Sequence, residues 1–115
     1  RWGDAKNPLG NYTVWPVEKA LKRESKSFPF ILKSDQTTHR FVWTRHQVLF
    51  QSLQGHREDA LEEFSQWVYR PQDPSRYIAQ QAMPVHLNLW LFKGLPPKNG
   101  QEVEVVLRSF RFTPE

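Results

Sequence analysis

Apolar and polar residues alternate along several short segments of the chain, the pattern of half-buried β-strands. Residues 11–17 alternate and end near Pro16, which predicts a strand at a sheet edge. Residues 39–45 alternate clearly, and residues 47–53 predict their antiparallel hairpin partner. Residues 27–33 form a further apolar run. The first half of the chain is therefore expected to be rich in strands.

Residues 57–70 depart from this alternation. Glu58 and Asp59 would lie in the first turn of a helix and Arg70 in its last turn, as the helix dipole favours, and Pro71 would end it. Apolar side chains recur at spacings of three and four, which predicts one amphipathic helix with the stripe Ala60, Leu61, Phe64, Trp67 and Val68. This helix would be inserted between the middle strands.

Two segments in the last third predict further strands. Residues 85–92 have one face expected to be core, made of Val85, Leu87, Leu89 and Leu91. Their other face mixes polar and aromatic groups, unlike a plain solvent face: His86, Asn88, Trp90 and Phe92. Residues 102–113 alternate and then shift phase, which predicts a β-bulge near Arg108. A turn is expected at Asn99-Gly100.

These elements predict a mostly β fold, an antiparallel β-sandwich or jelly roll with one inserted amphipathic helix at 57–70. The length of 115 residues fits one small domain. However, the predicted strands are few for two full sheets. The 5 Trp, 8 Phe and 3 Tyr favour a packed core over disorder.

Composition excludes several kinds of chemistry. The chain has no cysteine, so it has no disulfide, thiolate metal site or cysteine nucleophile. No apolar run approaches the roughly 20 residues that span a bilayer. The histidines lack metal-ligand spacing, and Asp4 near Asn7 is a weak calcium candidate without a supporting loop. No cofactor or metal is expected.

Three segments resemble a known family. Residues 39–52 (HRFVWTRHQVLFQS), 83–94 (MPVHLNLWLFKG) and 103–114 (VEVVLRSFRFTP) are similar to strands of the concanavalin A-like jelly roll of glycoside hydrolase family 16. The resemblance implies a carbohydrate-active protein acting on β-glucan-like polysaccharide, extracellular or periplasmic. It also implies a retaining endo-glucanase-like reaction for a protein that carries the family's catalytic strand.

That catalytic strand, with the pattern E-x-D-x-x-E, is absent from this sequence. The resemblance therefore implies that residues 1–115 are either a single divergent domain or the C-terminal part of a larger β-sandwich. In the second case the catalytic carboxylates would lie outside this chain. Another chain, or an N-terminal half, would then complete the sandwich.

The candidate substrate-binding residues are His86, Asn88 and Trp90. Trp90 would stack on a pyranose ring, and the two polar side chains would bind its hydroxyls. The resemblance implies this role for Asn88 and Trp90, whereas His86 follows from alternation alone. The alternative is that Trp90 packs under a loop or the helix and that His86 is a buried structural histidine.

Two carboxylates on one strand face, Glu102 and Glu104, have a separation that superficially suits a glycosidase pair. Because they flank the Asn99-Gly100 turn, a solvated strand edge is the favoured interpretation. No catalytic residue is therefore assigned in this chain.

Two other functions stay open. One is a non-catalytic, lectin-like jelly roll that binds polysaccharide or oligosaccharide. The other is a structural or nucleic-acid-binding β-domain, suggested by the net charge of +4 and by Lys19, Lys22, Arg23 and Lys26. Glu18 and Glu24 interrupt that basic run and disfavour nucleic acid; an acidic polysaccharide would suit it equally. Asn11-Tyr12-Thr13 is also a glycosylation sequon.

Overall fold

A computed structural model describes residues 10–56, 58–59 and 61–114 of the chain. The chain forms two compact units, Pro8–Pro84 (the strand unit) and Arg1–Asn7 with Val85–Glu115 (the groove unit). The described residues contain five β-strands and two short helical elements, α1 (Pro74–Tyr77) and a 3-10 turn (Phe92–Gly94). The predicted mostly β class is confirmed.

The strand unit holds two antiparallel sheets. The first sheet pairs β1 (Gly10–Val14) with β2 (Glu24–Phe28). The second sheet has the order β3-β4-β5, with β3 at Thr37–Trp43, β4 at Val48–Gln54 and β5 at Glu63–Tyr69. The predicted strand at 11–17 is present but ends at Val14, and β2 begins before the apolar run 27–33.

The hairpin predicted from residues 39–53 is confirmed as β3 and β4. Phe41 stands directly opposite Phe50, so the aromatic residues of the two strands share one face. In the turn, the Thr44 hydroxyl accepts backbone N–H groups of His46 and Gln47 at 3.2 and 3.1 Å. The threonine hydroxyl therefore stabilises the turn that sets the register of the pair.

The helix predicted over residues 57–70 is wrong, because residues Glu63–Tyr69 form β5. Ser65 pairs with Ser52, but the next pair joins Glu63 to Leu53, so Phe64 is an extra residue in a β-bulge. The bulge shifts the phase of the strand, and both Phe64 and Trp67 then contribute to the aromatic packing described next. Phe64 and Trp67 are three residues apart, and this spacing is also typical of the apolar face of a helix.

The two sheets pack face to face through aromatic side chains. The ring of Tyr12 stacks on Phe50 at a centroid distance of 5.0 Å, and Phe50 stacks on Trp67 at 5.6 Å. Phe28 packs against Phe64 at 6.2 Å. Both sheets thus bury one face in a shared layer, which is the arrangement of a β-sandwich.

A second part of the core lies at the other end of these strands. Ile78, which follows α1, is buried with Val48 and Tyr69. Trp43 packs beside them, and its indole N–H donates to the Ala79 carbonyl at 3.0 Å. The short helix α1 ends at Tyr77 and so places Ile78 over the sheet.

The strands predicted at 85–92 and 102–113 are wrong, since no strand is assigned within the described residues 85–114. The side chains expected to form core are at least half exposed: Val85, Leu87, Leu89 and Leu91. Alternation gives a segment two faces, but a strand exists only where a neighbour supplies the ladder hydrogen bonds. Because residues 102–113 form no strand, the β-bulge expected near Arg108 is absent as well.

Candidate functional site

The groove unit contains an open groove of about 480 Å³. Most of its lining is apolar, and two polar side chains, Gln101 and Glu102, share it. The lining residues are Leu89, Trp90, Leu91, Pro96, Pro97, Gly100, Gln101, Glu102 and Val103. The groove therefore lies between two segments that are separated in sequence by a turn-rich connection.

That connection brings the two segments together through two successive turns. In the first, the Gly94 N–H donates to the Leu91 carbonyl at 2.9 Å, and Gly94 has a φ of 71°. In the second, the Gly100 N–H donates to the Pro97 carbonyl at 3.1 Å, and Gly100 has a φ of 70°. Glycine is favoured at both positions because a Cβ strains this left-handed backbone. The turn predicted at Asn99-Gly100 is confirmed.

The groove combines a flat aromatic surface with hydrogen-bonding groups. Trp90 is 67% exposed, so much of its indole is open to solvent. Gln101 is oriented by Asn99, whose side-chain oxygen accepts the Gln101 backbone N–H at 3.2 Å. Glu102 adds a carboxylate to the same lining. An apolar surface with a few polar groups is the usual composition of a small-ligand site.

The structure separates the three predicted binding residues. Trp90 lines the groove, whereas His86 and Asn88 are exposed and are not among its lining residues. The expected row across a concave sheet is absent because residues 85–91 form no strand. The alternative of a buried His86 is also wrong.

Sequence reasoning placed Glu102 on a solvated strand edge and so missed its position in the groove. Glu104, its supposed partner, is exposed and lies outside the lining. The available signal was the spacing of Pro96-Pro97 and Asn99-Gly100, which turns the chain back toward Trp90 shortly before Glu102.

A second polar constellation connects the two sheets of the strand unit, and His39 lies at its exposed end. The two ring nitrogens of His39 contact hydroxyls, with Nδ1 2.9 Å from Ser52 Oγ and Nε2 2.9 Å from Thr37 Oγ1. Ser52 Oγ also lies 2.5 Å from the Tyr12 hydroxyl, which donates to the Ser65 carbonyl at 3.2 Å. The chain of hydrogen bonds thus ties the first sheet to all three strands of the second.

This serine–histidine pair is structural rather than catalytic. Ser52 is 0% exposed, so no substrate reaches its hydroxyl. Ser65 Oγ, on the opposite residue of β5, is buried without a hydrogen-bond partner among the described residues. A neutral His39 donates from one nitrogen and accepts at the other, which matches two hydroxyl partners.

We expect the stability of the chain to fall as pH decreases below about 6.5, the ordinary value for histidine. Partial desolvation beside the buried Ser52 lowers the pKa of His39, so the unfolded chain takes up a proton before the folded chain does. The contribution of neutral His39 to the free energy of unfolding is therefore complete above pH 6.5. It is lost as the pH falls toward the lowered pKa of His39 in the folded chain. Urea unfolding at pH 7.5 and 5.5 measures this change. His39→Gln should reduce the difference between the two pH values; an unchanged difference would contradict the assignment.

The described residues contain no cluster of three His, Asp or Glu side chains that suits a metal ion. None of their helices is both long and apolar enough to cross a membrane.

Fold and groove together define a mostly β protein with an aromatic-lined groove on its surface. Comparisons with protein-family models, with curated proteins and with solved structures give no match for this chain. The functional argument therefore depends on the residues themselves.

Proposed function

We propose that this chain binds carbohydrate through the groove at Trp90, as part of a carbohydrate-active β-sandwich. The observation that carries the proposal is the exposed indole of Trp90 beside Gln101 and Glu102 in one groove. A pyranose ring has apolar C–H faces and a rim of hydroxyls. The indole suits the first and the two polar side chains suit the second.

The sequence resemblance to glycoside hydrolase family 16 extends this proposal. In that case the chain is the C-terminal part of a jelly roll that hydrolyses β-glucan-like polysaccharide with retention, and the catalytic carboxylates lie outside residues 1–115. The exposed apolar side chains of 85–91 and 103–112 support this idea, because alternating segments of this kind gain ladder partners when other strands pair with them. Another chain or an N-terminal half would supply those strands.

A non-catalytic, lectin-like role is the second candidate. It is favoured by the absence of the E-x-D-x-x-E pattern from the sequence and by Glu102 being the single carboxylate in the groove lining. Glycoside hydrolysis ordinarily requires two carboxyl groups on either side of the scissile bond. The 115-residue chain is therefore expected to bind sugar without cleaving it.

Replacing Trp90 with Ala is expected to weaken binding of laminarin or lichenan by about tenfold, because the stacking surface and its dispersion contacts are lost. Affinity electrophoresis of the full chain in gels that contain each glucan measures this effect. Trp90→Phe should keep part of the affinity. Phe112→Ala is the matched control, since it removes an aromatic ring that is 71% exposed and lies outside the groove lining. Equal weakening by both alanine variants, or no binding of either glucan, would contradict the proposal.

Reducing-sugar release separates the two candidates. A longer form of the protein that carries an E-x-D-x-x-E strand should release reducing ends from laminarin, and Glu→Gln at the first carboxylate of that strand should abolish the release. Glucan binding that weakens in Trp90→Ala, without any release, would support the lectin-like candidate instead. Preferred binding of DNA with a steep salt dependence would favour the basic-domain alternative.

A further inference from the structure

The first sheet has a second face, which points away from the aromatic layer between the sheets. Tyr12 and its pairing partner Lys26 point toward the second sheet, where the Lys26 ammonium donates to the Gln66 carbonyl at 2.6 Å. Strand alternation therefore turns the pairs on either side of Tyr12 and Lys26 away from the second sheet. These outward pairs are Asn11 with Ser27 and Thr13 with Ser25, and all four side chains carry amide or hydroxyl groups.

Hydrogen bonds order these outward side chains. The side-chain amide of Asn11 donates to the Ser27 hydroxyl at 2.8 Å. The Thr13 hydroxyl donates to the side-chain oxygen of Asn11 (Oδ1) at 2.5 Å. Asn11, Ser25 and Ser27 are exposed. The face is thus a short, flat, polar strip with fixed hydrogen-bonding groups.

An aromatic ring and a cation continue the strip at one end. Trp15 follows β1 and is 69% exposed, and Arg23 precedes β2. The Arg23 guanidinium lies 4.9 Å from the centre of the Trp15 ring system, a cation–π contact across the hairpin. This contact holds both side chains at the same end of the strip, with most of the indole surface still open to solvent.

The connection between β1 and β2 carries exposed cations, Lys19 and Lys22. The neighbouring carboxylate of Glu18 is bound by the Arg76 guanidinium, with an Nη2–Oε1 distance of 2.9 Å. Glu24 pairs with Val14 and so belongs to the inner face. Neither carboxylate therefore neutralises the cations of the strip.

Backbone hydrogen bonds fix this connection. The Glu18 N–H donates to the Arg76 carbonyl at 3.1 Å, which attaches the loop to α1, and the Leu21 N–H donates to the Glu18 carbonyl at 3.0 Å, which closes a turn. The cations and the indole are therefore presented on an ordered loop, so binding costs less ordering entropy than it would on a free loop.

We propose that the outward face of the first sheet binds an anionic polysaccharide, with sugar rings on Trp15 and carboxylate or sulfate groups on Lys19, Lys22 and Arg23. The guanidinium matches such groups with paired N–H donors. From Asn11 to Trp15 the strip is about 13 Å long, at the usual rise per strand residue. This surface belongs to the strand unit and the groove at Trp90 belongs to the groove unit, so variants at the two sites are compared separately.

The composition of the strip favours sugar over nucleic acid. Single-stranded nucleic acid is bound on successive aromatic side chains, one for each stacked base. Here one indole is followed by side-chain hydroxyls and an amide, which match the alternating donors and acceptors of sugar hydroxyls. A single stacking platform with several cations suits a chain of charged sugar rings.

The test measures binding of the full chain, made in bacteria so that the Asn11 sequon stays unmodified, to polygalacturonate by calorimetry at 50 and 200 mM salt. Neutral dextran and oligo-dT of matched charge are compared. Trp15→Ala should weaken polygalacturonate binding by about five- to tenfold. Arg23→Gln should weaken it and reduce the salt slope by about one. The matched charge control is Arg45→Gln, an exposed site on the β3–β4 turn, and it should bind nearly as the parent does.

Circular dichroism checks that each variant is folded, and both Trp15 and Arg23 are exposed, so neither replacement opens the core. Absence of polygalacturonate binding would overturn the proposal. So would equal losses in Arg23→Gln and Arg45→Gln, which indicate net charge alone, or tighter binding of oligo-dT. Trp15→Ala should cause the same loss of polygalacturonate affinity in the Trp90→Ala background as in the parent chain, and this additivity distinguishes the strip from the groove. A smaller loss in that background would overturn the proposal.

Discussion

Replacing Phe28 with Ala is expected to destabilise the strand unit by about 3–5 kcal/mol, the usual range for removing a buried Phe. Phe28 is 8% exposed and joins the two layers, with ring centroids 4.7 Å from Tyr12 and 6.2 Å from Phe64. Without this ring, the first sheet loses its contact with Phe64 of the second sheet. Urea unfolding followed by tryptophan fluorescence measures the change.

The residue opposite Phe28 supplies an internal control. A Cβ added at Gly10 would clash with two atoms of the Phe28 ring, so Gly10→Ala forces the ring to move. We expect this replacement to cost about 1–3 kcal/mol in the parent chain. In the Phe28→Ala background the clash is gone, and Gly10→Ala should cost much less. Additive effects would show that the ring does not lie across Gly10.

The hairpin of β3 and β4 was predictable because its information is local. Alternation over residues 39–53 fixes which side chains share a face, and the intervening turn needs few residues. The same is true of β1, where Tyr12 and Val14 alternate with exposed residues. Its partner β2 was missed, because residues Glu24–Phe28 are nearly all polar and only Phe28 is buried. Pairing with β1, rather than hydrophobicity, makes that segment a strand.

The helix prediction at 57–70 was wrong for a definable reason. Helical and strand periods differ, but a β-bulge at Phe64 adds one residue and brings Phe64 and Trp67 into one aromatic layer at a spacing of three. A spacing of three is also the helical signal. The β-branched and aromatic residues of the segment favoured a strand, and pairing with β4 determined the outcome.

The groove was predictable only in part. Trp90 was selected for its aromatic surface, and that surface is exposed as expected. The grouping with His86 and Asn88 required a sheet, and a sheet depends on neighbours that no local pattern specifies. The basic loop shows the same limit, because Glu18 appeared to dilute the cations. Its pairing with Arg76, 58 residues away, is a tertiary contact that no local pattern reveals.

Replacing Leu53 with Ala is the other change expected to have a large effect, about 2–5 kcal/mol lost from the free energy of unfolding. Leu53 is 0% exposed and lies in the central strand, opposite Thr38 on one side and Glu63 beside the bulge on the other. Truncation leaves a cavity where strand pairing holds the backbone on both sides, so the surroundings have little freedom to collapse into it.

Leu61→Ala is the matched control, because the same atoms are removed from a side chain that is 79% exposed. It should change stability by no more than about 0.5 kcal/mol. Leu53→Met, which conserves volume, should cost less than about 1.5 kcal/mol. Similar losses for Leu53→Ala and Leu61→Ala in urea unfolding would contradict the burial of Leu53. A small loss for Leu53→Met beside a large loss for Leu53→Ala would identify the cavity as the cause, because the methionine fills the space that alanine leaves empty.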